Sequence, residues 1–305
     1  MNSTKHEFVD SYEPPNGVTL DTTETELCQC IWVQIQNESG VEAMGKPVGN
    51  YATIETDILL HGKMGELDEI AKTVSEYLAK MINISDEDSV LIVGIGNRNI
   101  ISDSLGVRVA DKVMATRHVA HQVEASNGKP IRTVSVISPG VMGVTGISTA
   151  EIIKSICNVI NPSLVILVDA LAAGKTSRLC STIQITDTGM TPAAGILGKG
   201  NAQTIDFDYL GIPVVGIGMP TVINAATIMI DFISLLSQAH SDSEELDVAM
   251  VESIHQYADE LFPSSSFVAT KEIDAAIHYS SYVLSTAINM ALFQEDWVQM
   301  SHNTY

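Results

Sequence analysis

The chain has 305 residues, 45% hydrophobic and 17% charged, the balance of a globular protein with a sizeable core rather than a disordered one. A formal net charge of −21 excludes a phosphate-backbone binder and argues against docking on anionic membranes, so neither nucleic acid nor membrane is an expected partner. No run of about 18 uncharged apolar residues occurs, and the polar residues 1–21, with Pro14-Pro15, hold no signal-peptide core, which predicts a cytoplasmic protein.

In chain order, residues 1–26 are expected to be a flexible tail and residues 27–305 a single α/β domain. Leu27–Gln36 and Val48–Leu60 carry β-branched and aromatic residues at alternate positions, with Asn37-Glu-Ser-Gly40 as turn chemistry between them, and predict antiparallel strands. Leu67, Ile70, Val74, Leu78 and Ile82 follow helical spacing. From Ser89 onward strands alternate with helices. Strands are expected over Ser89–Ile95, Thr133–Ile137, Leu164–Val168, Leu179–Ile185 and Pro213–Ile217. Helices are expected over Ser104–Val119, over Ala150–Ile160 behind the capping-box spacing Ser148-Thr-Ala-Glu151, and from Pro220 to about Gln238. The acidic Ser241–Asp247 suits a solvated connector, and Lys271–Leu292 a final helix capped by Thr270. This order predicts a three-layer sandwich: a mostly parallel central sheet, extra antiparallel N-terminal strands and C-terminal helices. Asp187–Phe207, rich in glycine and without apolar period, is expected to be a lid.

Several motifs come close to known chemistry without completing it. Ala173-Gly-Lys-Thr176 follows a strand, but a phosphate loop needs glycine where Asp169 stands. The dinucleotide fingerprint begun by Gly94 and Gly96 would end at Asn99. His118 and His121 lack the glutamate of a helical zinc-protease motif, and Ser138-Pro-Gly140 lacks the flanking glycine of a nucleophile elbow. Cys28 and Cys30 would share one strand face, but no second cluster completes a zinc site, so buried reduced thiols are expected for these and for Cys157 and Cys180. No cofactor or metal is called for.

Two aspartates remain. Val90–Gly96 runs toward Asp103, and Leu164–Val168 stops at Asp169. In an open α/β sheet chemistry collects beyond the carboxyl ends of the strands, which makes the pair a candidate acid/base site. A carboxylate at such a place can equally cap the next helix. The residues alone leave both open.

Gly94-Ile-Gly-Asn97, Ser102-Asp-Ser-Leu-Gly106, Ala115-Thr-Arg-His118, Ser138–Ile147, Val168–Ala173, Thr182–Gly189, Leu210–Pro213, Ile217–Val222 and Val268–Asp274 together resemble the spore germination protease family of endospore-forming bacteria. The likeness keeps the family's motif order over residues 45–292. It implies an endopeptidase that degrades small acid-soluble spore proteins during germination, in the forespore and spore core. It implies further an atypical aspartic-type site on Asp103 and Asp169, with Asn97, Arg117, His118 and Asp187 as substrate-binding candidates, and a homotetramer. The family's fold is similar to that of hydrogenase-maturation peptidases. The competing expectations are therefore a metal-dependent peptidase of that kind, with His118 as third ligand, and a catalytically silent spore scaffold. The sequence departs from the family in showing no acidic–apolar–acidic processing site before Leu27, and in a short stretch between Gln238 and Leu261.

Overall fold

A computed structural model of the protein describes residues 14–120, 122–123, 130–192, 203–240, 257 and 266–294. Among these, the strands are β1 (Val18–Glu24), β2 (Gln29–Ile35), β3 (Gly49–Glu55), β4 (Val90–Gly94), β5 (Val134–Ile137), β6 (Leu164–Ala173), β7 (Thr182–Thr186), β8 (Val214–Asn224) and β9 (Phe267–Val268). The helices are α1 (Glu38–Met44), α2 (Ile58–His61), α3 (Met64–Met81), α4 (Leu105–Ala110), α5 (Met142–Thr145), α6 (Thr149–Ile160), α7 (Phe207–Leu210), α8 (Ala225–His240) and α9 (Ile273–Phe293).

All nine strands join one sheet in the order β1-β2-β3-β7-β8-β6-β4-β5, with β9 on the far end of β8. The block β8-β6-β4-β5 is parallel, and β1, β2, β3 and β7 extend it antiparallel. The parallel strands are apolar throughout because helices cover both faces, and their alternate residues feed two different cores. Val90 and Ile92 of β4, with Leu164, Ile166 and Val168 of β6, face α3 and α9. Leu91, Val93, Val165 and Leu167 face α6 and the loop around Ile205. The fold is the expected α/β sandwich.

Several local expectations need correction. Residues 18–24 are not tail: their backbone pairs fully with β2, from Val18 opposite Ile35 to Glu24 opposite Gln29. Alternation there is too polar to signal a strand, and the ladder, not burial, holds it. The Asn37–Gly40 turn opens into α1, because the Asn37 side-chain oxygen accepts from the Gly40 amide at 3.2 Å and caps a helix. The helix expected over residues 104–119 stops at Ala110. Asn289 of α9 takes the chain out of it by accepting from the Met114 amide at 3.0 Å, and the Thr116 and Arg117 amides donate to the Val134 carbonyl. Helix α6 begins as expected, but the Ser148 side chain makes no cap bond. The link from β6 to β7 holds only a 3-10 turn, Thr176–Arg178, too short for a helical crossover, and β7 joins antiparallel. Pro220 does not open a helix. It lies inside β8 at a bulge, where Leu171 pairs with Pro220 and Ala172 with Val222, a place where a residue without an N–H is tolerated. The acidic 241–247 segment, residues 1–13 and residues 193–202 of the expected lid lie outside the described residues.

Candidate active site

Strand β6 does not stop at Val168 as the sequence suggested. It continues to Ala173 beside β8, while its other neighbour, β4, pairs only as far as Gly94, opposite Val168. Asp169 thus lies one residue past the point where β4 peels away, bound by sheet on one side and open on the other. The last link to β4 is the Ile95 amide donating to the Val168 carbonyl at 2.8 Å.

The departing chain folds back over this opening. Gly96 has φ +126°, a left-handed backbone that side chains disfavour, and a Cβ there would sit 1.9 Å from the Asp103 carbonyl. That close return lets the Asn97 amide donate both to the Asp103 carbonyl (3.0 Å) and to its carboxylate Oδ2 (2.8 Å). Gly106, in the first turn of α4, presses on the two strands: a Cβ would lie 2.2 Å from the Val168 carbonyl and 2.4 Å from that of Ile95. Thr221, the residue extruded by the β8 bulge and fully buried, donates to the Ser102 carbonyl at 2.6 Å and fixes the loop from the other side. Three independent contacts therefore hold Asp103 over the strand that carries Asp169.

Asp103 does not cap α4, whose start has no side-chain cap bond. The capping alternative is set aside by the geometry. Asp169 is only 6% exposed, and the amide of Ala170 donates to its Oδ1 at 2.8 Å. Burial, reinforced by the nearby Asp103 charge, pushes its carboxyl up to about 8, against the small opposing effect of the Ala170 amide. Burial also raises Asp103, and the Asn97 amide partly restores it. Two such carboxyls can hold one proton near neutral pH, the arrangement required for a paired acid and base.

Of the substrate-binding candidates, Asn97 is at the site through its backbone. Arg117 and His118 are exposed, and the Arg117 amide bonds to Val134, the first residue of β5. They stand at the amino ends of the parallel strands, away from the aspartates, because the chain leaves α4 early and returns beneath the sheet. Asp187 is also elsewhere: it follows antiparallel β7, and both its oxygens are engaged by Asn50, at 2.8 Å from the backbone amide and 2.6 Å from the side chain. It fastens β7 to β3.

Gln184 and Thr221 escaped the sequence reading. Gln184 lies opposite Gly218, which lies opposite Asp169 on its other side. Ile183 and Ile185 face the α3–α9 core, as does Val168, so Gln184 and Asp169 share the other sheet face with only a glycine between them. A polar residue in the middle of Thr-Ile-Gln-Ile-Thr was the available signal; for Thr221 there was none, since it depends on the bulge. Beside the Asp103 loop a cleft of about 190 Å³ runs between Gly96–Asn99 and the β5–α5 connection, lined also by Val107, Ser138, Val141 and Val144.

A family model described as germination protease matches residues 1–251. The chain is 40% identical over 276 residues to the germination protease of Clostridium perfringens strain ATCC 13124, covering 85% of this chain and 83% of that protein. It is 38% identical over 288 residues to the germination protease of Caldanaerobacter subterraneus subsp. tengcongensis, covering 90% and 88%. Among solved structures, a [NiFe] hydrogenase maturation protease, HycI from Thermococcus kodakarensis, aligns over 61% of this chain and 96% of its own at 19% identity, with a TM-score of 0.31. A family match over most of the chain, joined by relatives this similar along nearly their whole length, has one meaning: the chain belongs to the germination protease family.

Proposed function

We propose that the protein is an endopeptidase that degrades small acid-soluble spore proteins in the germinating spore, with Asp103 and Asp169 activating water. The observation carrying this reading is Asp169: a buried acid in mid-strand, raised to about 8 by burial and by a second aspartate that three tertiary contacts hold nearby. The environments divide the roles. Asp169, the more deeply buried, keeps its proton at neutral pH, and Asp103, bonded by the Asn97 amide, is the carboxylate. Asp103 takes a proton from water as the water oxygen attacks the scissile carbonyl carbon, and Asp169 donates to the carbonyl oxygen. As the C–N bond breaks, Asp103 passes its proton to the leaving amine and Asp169 recovers one from the tetrahedral intermediate's hydroxyl.

A metal held by the same aspartates would want a third ligand and groups that orient it. Among the described residues no group of three His, Cys, Asp or Glu side chains is placed to hold one, and His118 lies at the other end of the strands. The described residues do not fit a metal centre. The reading also includes a homotetramer; Phe232, Leu235 and Leu236 on α8 are exposed apolar side chains that a subunit contact would cover.

The test is incubation of the purified chain with a small acid-soluble spore protein and mapping of the cuts by mass spectrometry. Asp103→Asn and Asp169→Asn are each expected to lower cleavage by about 10³-fold or more with unchanged circular dichroism. Activity should survive EDTA, and His118→Ala should cost less than either. Full activity in either Asn variant defeats the dyad. Loss with chelator and recovery with one stoichiometric metal ion would favour the metal peptidase instead.

A further inference from the structure

Far from the aspartates, beneath the edge of the sheet, two thiols meet. Cys28 ends the β1–β2 turn and Cys30 follows two residues on, inside β2, so both project toward α3. Their Sγ atoms are 3.8 Å apart, and both side chains are buried. Thr25 shapes the turn around Cys28: its hydroxyl accepts from the Cys28 amide at 3.0 Å and lies 3.3 Å from the Cys28 sulfur. Of the protein's other cysteines, Cys157, in α6, is buried in the core on the other face of the sheet, and Cys180 is buried in the same core as the pair.

We propose that Cys28 and Cys30 form a reversible dithiol–disulfide site, oxidised by hydrogen peroxide. The Cys28 thiolate attacks the peroxide oxygen, the O–O bond breaks, and Cys28 becomes a sulfenic acid as hydroxide leaves. The Cys30 sulfur then attacks the Cys28 sulfur, the S–O bond breaks, and water departs. In all, two thiols lose two electrons and two protons, and one peroxide becomes two waters.

The surroundings suit each role. A bond from the Cys30 thiol holds Cys28 well below the ordinary thiol range, and the same contact, with burial, raises Cys30. One sulfur is therefore primed as the attacking thiolate and the other kept as the resolving thiol. Access comes from position: β1 is an edge strand, and residues 24–26 of the turn above the pair are exposed, so the sulfurs lie under the part of the sheet that opens most readily. Residues two apart on extended backbone are separated by about 6.6 Å, at the long end of what a disulfide spans. Such a bridge is strained and easily reduced, which suits a switch better than a permanent staple.

The full chain would be treated with a small excess of hydrogen peroxide at neutral pH, alkylated under denaturing conditions and cut after glutamate. The peptide Leu27–Glu38 should then have lost two hydrogens and regain them with dithiothreitol, while Cys157 and Cys180 stay alkylated. Cys30→Ser should stop at a sulfenic acid on Cys28 that dimedone traps, and Cys28→Ser should slow oxidation about tenfold or more, since the thiolate is lost. If Cys28 and Cys30 remain as fully alkylated as Cys157 and Cys180 after methionine oxidation has begun, the proposal is wrong; this wild-type comparison does not depend on either variant folding.

Discussion

Asp169 burdens the fold in a way that pH should reveal. In the unfolded chain its carboxyl ionises near 3.8, and in the native protein burial and Asp103 hold it protonated up to about 8. Between these values the native state binds one more proton than the unfolded state, so this group's contribution is fully present below 3.8 and is lost as pH rises toward 8. The interval spans about four pH units, and at about 1.4 kcal/mol for each the loss approaches about 6 kcal/mol, an upper figure because a real site relaxes and admits water. Asp169→Asn keeps the shape and an oxygen for the Ala170 amide but cannot ionise. Urea denaturation of both proteins at intervals from about pH 4 to 8.5 isolates the effect, because other titrating groups are shared. The stability difference should grow with pH in favour of the Asp169→Asn variant, to several kcal/mol near the top of that range, while cleavage is lost. A difference that is flat, or that shrinks as pH rises, would refute a raised Asp169.

Gly106→Ala should destabilise the chain by about 3 kcal/mol and weaken cleavage, because its Cβ would strike the Val168 and Ile95 carbonyls, whereas Gly143→Ala, with nothing within 4 Å, should be near neutral in the same denaturation assay. Asp187→Ala should cost about 1–3 kcal/mol through the two abandoned Asn50 donors and leave the turnover number intact, since this carboxylate fastens β3 to β7. Selective loss of turnover without loss of stability would return Asp187 to the site.

What the sequence determined by itself was the α/β architecture, and it also singled out the two aspartates at the ends of its buried strands as candidates. Each buried strand announces itself as an unbroken apolar run, since burial on two faces leaves no polar alternation, and the polar residue that interrupts it is conspicuous. What only the tertiary structure decided depends on neighbours remote in sequence. Strand β1 is polar and exists through its ladder to β2. The early end of α4 is imposed by Asn289, 175 residues beyond the Met114 amide it accepts from, and carries Arg117 and His118 to the end of the sheet away from the aspartates. The β8 bulge, which turns Pro220 from a helix starter into a strand residue and offers Thr221 to Ser102, follows from its pairing with β6. The division of roles proposed for the aspartates is likewise invisible in one dimension: the two residues are chemically the same, and only the depth at which each is buried distinguishes them.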